Sequence, residues 1–152
     1  MNISMDEVLE KSRAAFLADA NSRARRSPWK SDFTPILDAL VSWSLGDTRE
    51  LTVRSPEAQH TVSFSVTKSG NVLWAAYPRD LDGAKVIVLP QGFKGLLPAD
   101  RDRIMQAFEA AAPAVKIEGT GYLELPMRLL RQKAAMLAFL DVLTIAYELE
   151  AR

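Results

Sequence analysis

Three short strand-like segments follow one another between residues 60 and 90, and they constrain the fold of this chain more than any other feature. Residues 62–67 alternate apolar with small polar side chains, which is the period of a half-buried strand. Residues 68–71 have the composition of a turn, and apolar segments of strand length follow at 72–77 and 85–89. Consecutive strands joined by short turns pair antiparallel, so the region predicts an antiparallel meander.

Helical patterns lie on both sides of the meander. Residues 4–7 have the Ser-x-x-Glu spacing of a capping box, which predicts a first helix that extends to about Arg25. Asp32 as a cap and Pro35 in the first turn predict the start of a second helix. Gly46 lies where a left-handed residue would end that helix.

Further strands and a middle helix complete the pattern. Residues 50–54 predict a strand before the meander, and a helix that begins at Pro98 should stop at Pro113. Residues 115–118 and 122–125 flank a Gly-Thr-Gly sequence, which predicts a hairpin or a strand pair joined by a tight turn. The sheet is therefore expected to have four or five strands.

The longest helical pattern covers residues 128–150 and is apolar over most of its circumference. Such a surface predicts a central helix that packs on the sheet along one side and on the N-terminal helices along the other. The alternative is a homodimer seam along one apolar stripe, which contains Met136, Leu140, Leu143 and Tyr147. A narrow polar strip remains, formed by Asp141, Thr144 and Glu148.

Composition and charge limit the functions that the sequence can support. The chain has 152 residues, a length that suits one domain, and its 48% apolar and 25% charged residues are typical of a globular protein. Its 19 basic residues balance 19 acidic ones, which argues against a protein that coats nucleic acid or an anionic membrane.

The redox compartment and the location are also constrained. Cysteine is absent, which excludes disulfides, thiol nucleophiles and thiolate metal sites. The N-terminal residues lack the basic then apolar pattern of a secretion signal, and no uncharged segment reaches the roughly 20 residues of a membrane span. These features predict a cytoplasmic protein that does not associate with a membrane.

The only histidine, His60, is the side chain best suited to exchange protons near neutral pH. A serine triad also requires an activated serine, and no serine lies in a Gly-x-Ser-x-Gly elbow. A zinc ion would have to be bound by one histidine together with carboxylates. We therefore expect no catalytic residue, no metal site and no cofactor, while a small hydrolase or ligand-binding enzyme that uses His60 is an alternative.

A basic cluster with one aromatic member is formed by Arg23, Arg25, Arg26, Trp29 and Lys30. Positive side chains are favoured at the C-terminal end of a helix by the helix dipole, so a structural role explains the cluster. The functional alternative is that the cations bind a phosphate backbone while the indole stacks on a base, or that they bind an acidic protein.

Trp74 and Tyr77 fall on opposite faces of their strand by strict alternation, and both faces are partly apolar. Core packing is the simpler interpretation of both residues. An exposed Trp74 or Tyr77 would instead mark a binding site, because large aromatic side chains anchor interfaces.

These patterns predict a single α+β domain over residues 1–152, with two N-terminal helices, an antiparallel meander of four to five strands, one middle helix and a long C-terminal helix packed on the sheet. Because no catalytic set is recognisable, the favoured function is a non-enzymatic protein-binding or adaptor domain that acts through a protein partner or through self-association. A nucleic-acid-associated protein that uses the cluster from Arg23 to Lys30 is an alternative that the balanced charge does not favour.

Overall fold

The computed structural model describes residues 5–26, 32–54, 60–78, 83–90, 92–112 and 122–151. Within these residues the helices and strands are, in chain order, α1 (Met5–Arg26), α2 (Thr34–Ser44), β1 (Leu51–Val53), β2 (Val62–Val66), β3 (Val72–Tyr77), β4 (Lys85–Val88), α3 (Pro98–Ala111), β5 (Leu123–Pro126) and α4 (Lys133–Glu150). Short 3₁₀ helices precede α3 and α4, at Phe93–Gly95 and Met127–Arg131. The predicted α+β class and the predicted order of its helices are confirmed.

The five strands form one antiparallel sheet in the order β1-β2-β3-β4-β5. Strands β1 to β4 pair in the order in which they follow along the chain, which confirms the meander. Strand β5 joins the sheet beside β4 after the chain has passed through α3, with Leu123 opposite Val88 and Leu125 opposite Val86. The partner that the sequence predicted for this strand, residues 115–118, lies outside the described residues.

A β-bulge alters the alternation of side chains on β3. Phe64 pairs with Trp74, whereas the next residue, Ser65, pairs with Val72, so Leu73 is an extra residue on its strand. Strict alternation would put Leu73 and Trp74 on opposite faces of the sheet. Both side chains are instead fully buried and belong to the same apolar core.

One core joins the sheet to the helices. Side chains from one face of the sheet and from α1, α2, α3 and α4 belong to a single cluster of buried apolar residues. The expected packing of the last helix on the sheet is confirmed, since α4 contacts β3. The most extensive contact of α4 is with α3. The sequence pattern instead predicted that the two N-terminal helices would cover the side of α4 opposite the sheet. The broad apolar surface of α4 is therefore covered largely by the chain itself.

The last helix begins later than the sequence predicted. Its expected start was residue 128, but α4 begins at Lys133, and Met127–Arg131 form a 3₁₀ helix. Gln132 separates the two helices because its backbone is extended, with ψ of 125°. The Met127 N–H donates to the Ala84 carbonyl at 2.8 Å, which holds the start of the 3₁₀ helix at the sheet. The close similarity of the 3₁₀ and α periods explains why the sequence pattern did not reveal the break.

The two ends of α2 are stabilised by side chains. The N-cap residue is Phe33, one residue after the predicted cap, and the preceding Asp32 Oδ1 accepts a hydrogen bond from the Thr34 N–H at 2.9 Å. The prediction for Gly46 was wrong, because this residue is not among the described residues with positive φ. Arg49 Nε and Nη2 instead donate to the Trp43 carbonyl at 2.9 and 2.6 Å, which puts a positive charge at the C-terminal end of the helix.

Trp74 connects the middle of the sheet to α2. Its side chain is fully buried, and its ring stacks on Phe64 with 5.5 Å between ring centres. The indole Nε1–H donates to Ser44 Oγ at 2.8 Å, and the Ser44 hydroxyl donates to the Leu40 carbonyl at 2.8 Å. Because a buried N–H without an acceptor costs about 1–3 kcal/mol, these bonds fix which side of α2 faces the sheet.

Replacing Ser44 tests this connection. We expect Ser44→Ala to lower the free energy of unfolding by about 1–3 kcal/mol, because the buried indole N–H loses its acceptor. Ser42→Ala is the matched control, since Ser42 is exposed on the same helix and alanine is the better helix former. Urea denaturation followed by tryptophan fluorescence measures both variants. Equal stabilities of the two variants would contradict the role assigned to Ser44.

The hairpin between β2 and β3 gives a second prediction. Gly70 has φ of 77°, and its N–H donates to the Val66 carbonyl at 2.8 Å. Gly70→Ala should cost about 1–2 kcal/mol of stability, because a residue with a Cβ is strained in the left-handed region. Gly95→Ala is the control, since both positions have open space around the added Cβ but Gly95 lacks positive φ. Thermal unfolding followed by circular dichroism should show destabilisation of the first variant only.

Candidate functional site

A groove of about 360 Å³ separates α2 from the segment that leads into α4. We call it the α2–α4 groove, and its lining residues are Asp32, Pro35, Ile36, Ala39, Leu130, Arg131, Lys133, Met136 and Leu137. Most of these residues line the groove together because residues three or four apart on a helix lie on the same side of it. The groove is therefore built mainly on two regular helices.

The deeper part of the groove is apolar. Ile36, Leu130 and Met136 are almost completely buried, whereas Leu137 leaves 55% of its surface exposed. A single exposed leucine is ordinary on a protein surface. Leu137, however, adjoins an apolar groove and so extends the apolar area that water must contact. The groove and Leu137 together form a continuous apolar surface.

Three charged residues, Asp32, Arg131 and Lys133, line the same groove. Asp32 Oδ1 accepts hydrogen bonds from the Thr34 N–H at 2.9 Å and from Asn21 Nδ2 at 3.2 Å. The bond from the Thr34 backbone is the main reason that the pKa of Asp32 lies below its usual value, and the Arg131 charge lowers it further. The Asp32 carboxylate is therefore ionised and already engaged within the chain.

The first turn of α4 contains no acidic residue of its own. Gln132 caps the helix without a side-chain hydrogen bond. Arg131 and Lys133 add positive charge at this end, where the helix dipole is already positive. The groove therefore borders the N-terminal end of α4, where Arg131 and Lys133 lie in the same groove as the Asp32 carboxylate.

His60 and Asp19 of α1 form a second candidate group. His60 Nδ1 and Asp19 Oδ2 are hydrogen-bonded at 2.8 Å. The side chain of His60 is 31% exposed and that of Asp19 is 10% exposed. His60 has φ of 67°, a left-handed conformation that histidine adopts more often than most residues. The pair connects α1 to the start of β2.

The chemistry available at His60 is limited. A carboxylate on Nδ1 orients an imidazole as in a serine hydrolase. The hydroxyls of Ser12 and Thr61 are buried without a hydrogen-bond partner in the described part of the chain, so neither is hydrogen-bonded to His60. Within that part, no group of three or more His, Asp or Glu side chains could hold a metal ion. These residues thus provide an oriented imidazole without an activated nucleophile.

The predicted basic cluster lies only partly within the described residues. Arg23, Arg25 and Arg26 belong to the C-terminal end of α1, whereas Trp29 and Lys30 fall outside the described ranges. The position of the three arginines is the one that the helix dipole favours. Binding of nucleic acid or of an acidic protein by this cluster stays a prediction.

Trp74 and Tyr77 have different surroundings in the sheet. Trp74 is buried in the core and does not reach the surface. Tyr77 is half-buried, and Lys85 Nζ lies 5.9 Å from the centre of its ring. Lys85 Nζ also lies 3.6 Å from Glu124 Oε2 on β5, so Tyr77 belongs to a polar patch that crosses three strands.

The residues predicted as a dimer seam are divided between core and surface. Leu143 and Met136 are buried within the chain, while Leu140 and Tyr147 are half-buried. The Glu50 N–H donates to Tyr147 Oη at 2.9 Å, so the tyrosine hydroxyl already connects α4 to the residue before β1. The seam stays a prediction, and much of the stripe that would form it contributes to the core.

Sequence reasoning missed the α2–α4 groove. Leu137 lies one helical turn before Asp141, on the narrow strip of the last helix that is otherwise polar. A leucine in that strip was the available signal, because a water-facing position gives no reason for a large apolar side chain. The other wall of the groove is formed by α2, near the opposite end of the sequence, and no local pattern connects the two.

Comparisons of the chain with protein-family models, with curated proteins and with solved structures found no match. Among the described helices, none combines the length and the apolarity needed to span a membrane. The function is therefore inferred from the geometry of the described residues.

The His60–Asp19 pair should contribute modestly to stability, because His60 is partly exposed. We expect Asp19→Asn and His60→Asn each to lower the free energy of unfolding by about 0.5–1.5 kcal/mol, with a coupling energy of about 0.2–1 kcal/mol. Asparagine suits position 60 because it tolerates left-handed backbone. Urea denaturation of the two single variants and the double variant measures the coupling. A coupling energy of zero would show that the pair does not hold α1 to β2.

Proposed function

We propose that this protein is a non-enzymatic binding or adaptor domain that recognises another protein through the α2–α4 groove. The observation that carries the proposal is the exposed Leu137 beside an apolar depression that includes Ile36 and Met136. Exposed apolar surface that continues into a groove is a common property of protein-binding sites.

The exposed apolar surface beside the groove favours a protein partner over a separate small molecule. The groove volume of about 360 Å³ is near the lower end of the roughly 300–1,000 Å³ that is typical of small-molecule pockets. Leu137 extends the apolar surface onto the exposed side of α4. Met136 adds a flexible thioether, a side chain that binding surfaces use to adapt to a partner. One side chain of a partner can fill the depression while its neighbours contact Leu137.

The walls of the groove are held in place before a partner binds. On α2, Leu37 and Leu40 are fully buried in the core, and on α4 the same holds for Phe139 and Leu143. A site built on helices that are packed on their other sides loses little conformational freedom on binding. This rigidity favours recognition of a partner segment that adapts to the groove.

An enzymatic role has less support among the described residues. The imidazole of His60 is oriented by Asp19, but no hydroxyl in the described part of the chain is hydrogen-bonded to it. We propose the cytoplasm as the compartment in which the protein acts, because a chain without cysteine suits a reducing environment.

The function is tested by recovering the tagged protein from its native cells. We expect a stoichiometric protein complex that Leu137→Glu weakens about 10- to 100-fold, because the leucine loses its burial at the interface. Leu45→Glu is the matched control, since Leu45 is 59% exposed at the end of α2 and does not line the groove. Mass spectrometry identifies the partner, and calorimetry with purified proteins measures the affinity.

Other outcomes would contradict the proposal. A complex that is lost on nuclease treatment, and whose affinity falls steeply with salt, would identify a nucleic-acid-associated protein instead. A dimer in light scattering that persists in Leu137→Glu would assign self-association to another surface. Equal effects of the substitutions at Leu137 and Leu45 would remove the α2–α4 groove from the binding site.

A further inference from the structure

We infer that Asn21 of α1 is a positioning residue for the α2–α4 groove, although it does not line the groove. Its side chain holds the start of α2 in the position that the bound partner requires. This inference rests on the function proposed above, and it extends the determinants of binding to a third helix.

The start of α2 lacks a capping side chain at its own N-cap position. Phe33 is the N-cap residue, and it makes no side-chain hydrogen bond to the helix. Phe33 is also buried, so this position serves packing in the core rather than capping. The first N–H groups of a helix have no acceptor within the helix and need one from elsewhere. The first turn of α2 therefore depends on neighbouring residues for its acceptors.

Asn21 supplies one of these acceptors from α1. Its Oδ1 accepts a hydrogen bond from the Phe33 N–H at 2.9 Å. A carboxamide also offers a donor, and Asn21 Nδ2 donates to Asp32 Oδ1 at 3.2 Å. Asp32 Oδ1 accepts in turn from the Thr34 N–H at 2.9 Å. A single amide on α1 thus fixes the backbone at Phe33 and the side chain that accepts from the next N–H.

The residues held in this way belong to the groove or adjoin it. Asp32 lines the groove, and so do Pro35 and Ile36 in the first turn of α2. Arg131 lines the opposite wall, and its charge acts on the Asp32 carboxylate. A displacement of the start of α2 would therefore change the width of the groove at this end.

Other polar contacts of α2 hold other turns of the helix. At the C-terminal end, Ser44 accepts the hydrogen bond from the Trp74 indole. In the middle, Asp38 is paired with Arg13 of α1, and neither of these two residues lines the groove. Loss of the Asn21 contacts should therefore affect mainly the turn of α2 that borders the groove.

The probe for the test is a peptide whose binding depends on the groove. A library of random peptides displayed on phage is selected on the intact protein, and a clone is kept if it binds the Leu45→Glu variant but not the Leu137→Glu variant. Absence of any such clone would overturn the proposed function and this inference with it. Calorimetry then measures the affinity of the synthesised peptide for each further variant, below the temperature at which that variant unfolds.

Asn21→Asp is the decisive variant, because it replaces the amide donor by a second carboxylate beside Asp32. We expect the peptide affinity to fall about three- to tenfold, since repulsion displaces the start of α2 and lowers the fraction of molecules that can bind. In a background with Asp32→Asn, the same change should alter the affinity less than about twofold, because the hydrogen bond can form with donor and acceptor exchanged. Unchanged affinity in Asn21→Asp, or equal weakening in both backgrounds, would overturn the inference while leaving the proposed function intact.

A control variant separates positioning from a general loss of stability. Arg13→Gln removes another side-chain contact between α1 and α2, in which Arg13 Nε donates to Asp38 Oδ1 at 3.0 Å. It should lower the melting temperature without changing the peptide affinity, because neither residue of this pair lines the groove. Weakened binding in Arg13→Gln to the extent seen in Asn21→Asp would overturn the specific role of Asn21.

A spectroscopic signal reports the shape of the groove without any peptide. Met136 lines the wall opposite α2, and its methyl resonance can be assigned by comparison with Met136→Leu. We expect this resonance to shift in Asn21→Asp, to return toward its original position when Asp32→Asn is added, and to stay unchanged in Arg13→Gln. An unshifted Met136 resonance in Asn21→Asp would overturn the inference.

Discussion

The hydrogen bond from the Trp74 indole to Ser44 is the interaction on which the position of the α2–α4 groove depends. Among the described residues, Trp74 is the largest of the fully buried side chains, and it lies in the middle of the sheet. Rotation of α2 would leave its N–H without an acceptor, which costs more than most single contacts contribute. With Ser44 and Leu40 on the core side of α2, helical spacing puts Pro35 and Ala39 on the flank that borders the groove. A buried polar contact thus determines which part of α2 is presented at the surface.

Features of the fold that depend on residues close together in the sequence could be predicted from the sequence. The β2–β3 hairpin was predicted because alternation and turn chemistry occur together around Gly70. The β-bulge at Leu73 was not, because an extra residue on a strand leaves no signal in a short apolar segment. The late start of α4 was missed for a similar reason, since a 3₁₀ helix followed by Gln132 continues an apolar pattern close to the α period.

The candidate site required tertiary structure. Its walls come from α2 and from the start of α4, which are distant in sequence, and neither wall alone suggests a groove. The pairing of His60 with Asp19 was equally hidden, because one residue precedes a strand and the other lies on α1. Leu137 shows where a local signal existed. It interrupts the polar strip of the last helix, and such local conflicts with the overall pattern occur preferentially at functional positions.

The two ends of α4 have different surroundings, and this difference explains why its start is the better candidate for binding. At the C-terminal end, Glu150 Oε2 accepts a hydrogen bond from Asn71 Nδ2 at 3.1 Å, and the Ala151 carbonyl accepts one from Lys68 Nζ at 3.4 Å. Those groups connect the helix to the β2–β3 hairpin. At the start, Gln132 caps the helix without a side-chain hydrogen bond, and Leu137 in the second turn leaves 55% of its surface exposed. Because the C-terminal end is engaged with the hairpin while the start of the helix carries an exposed leucine beside a groove, the start is the part of α4 that the proposed function uses.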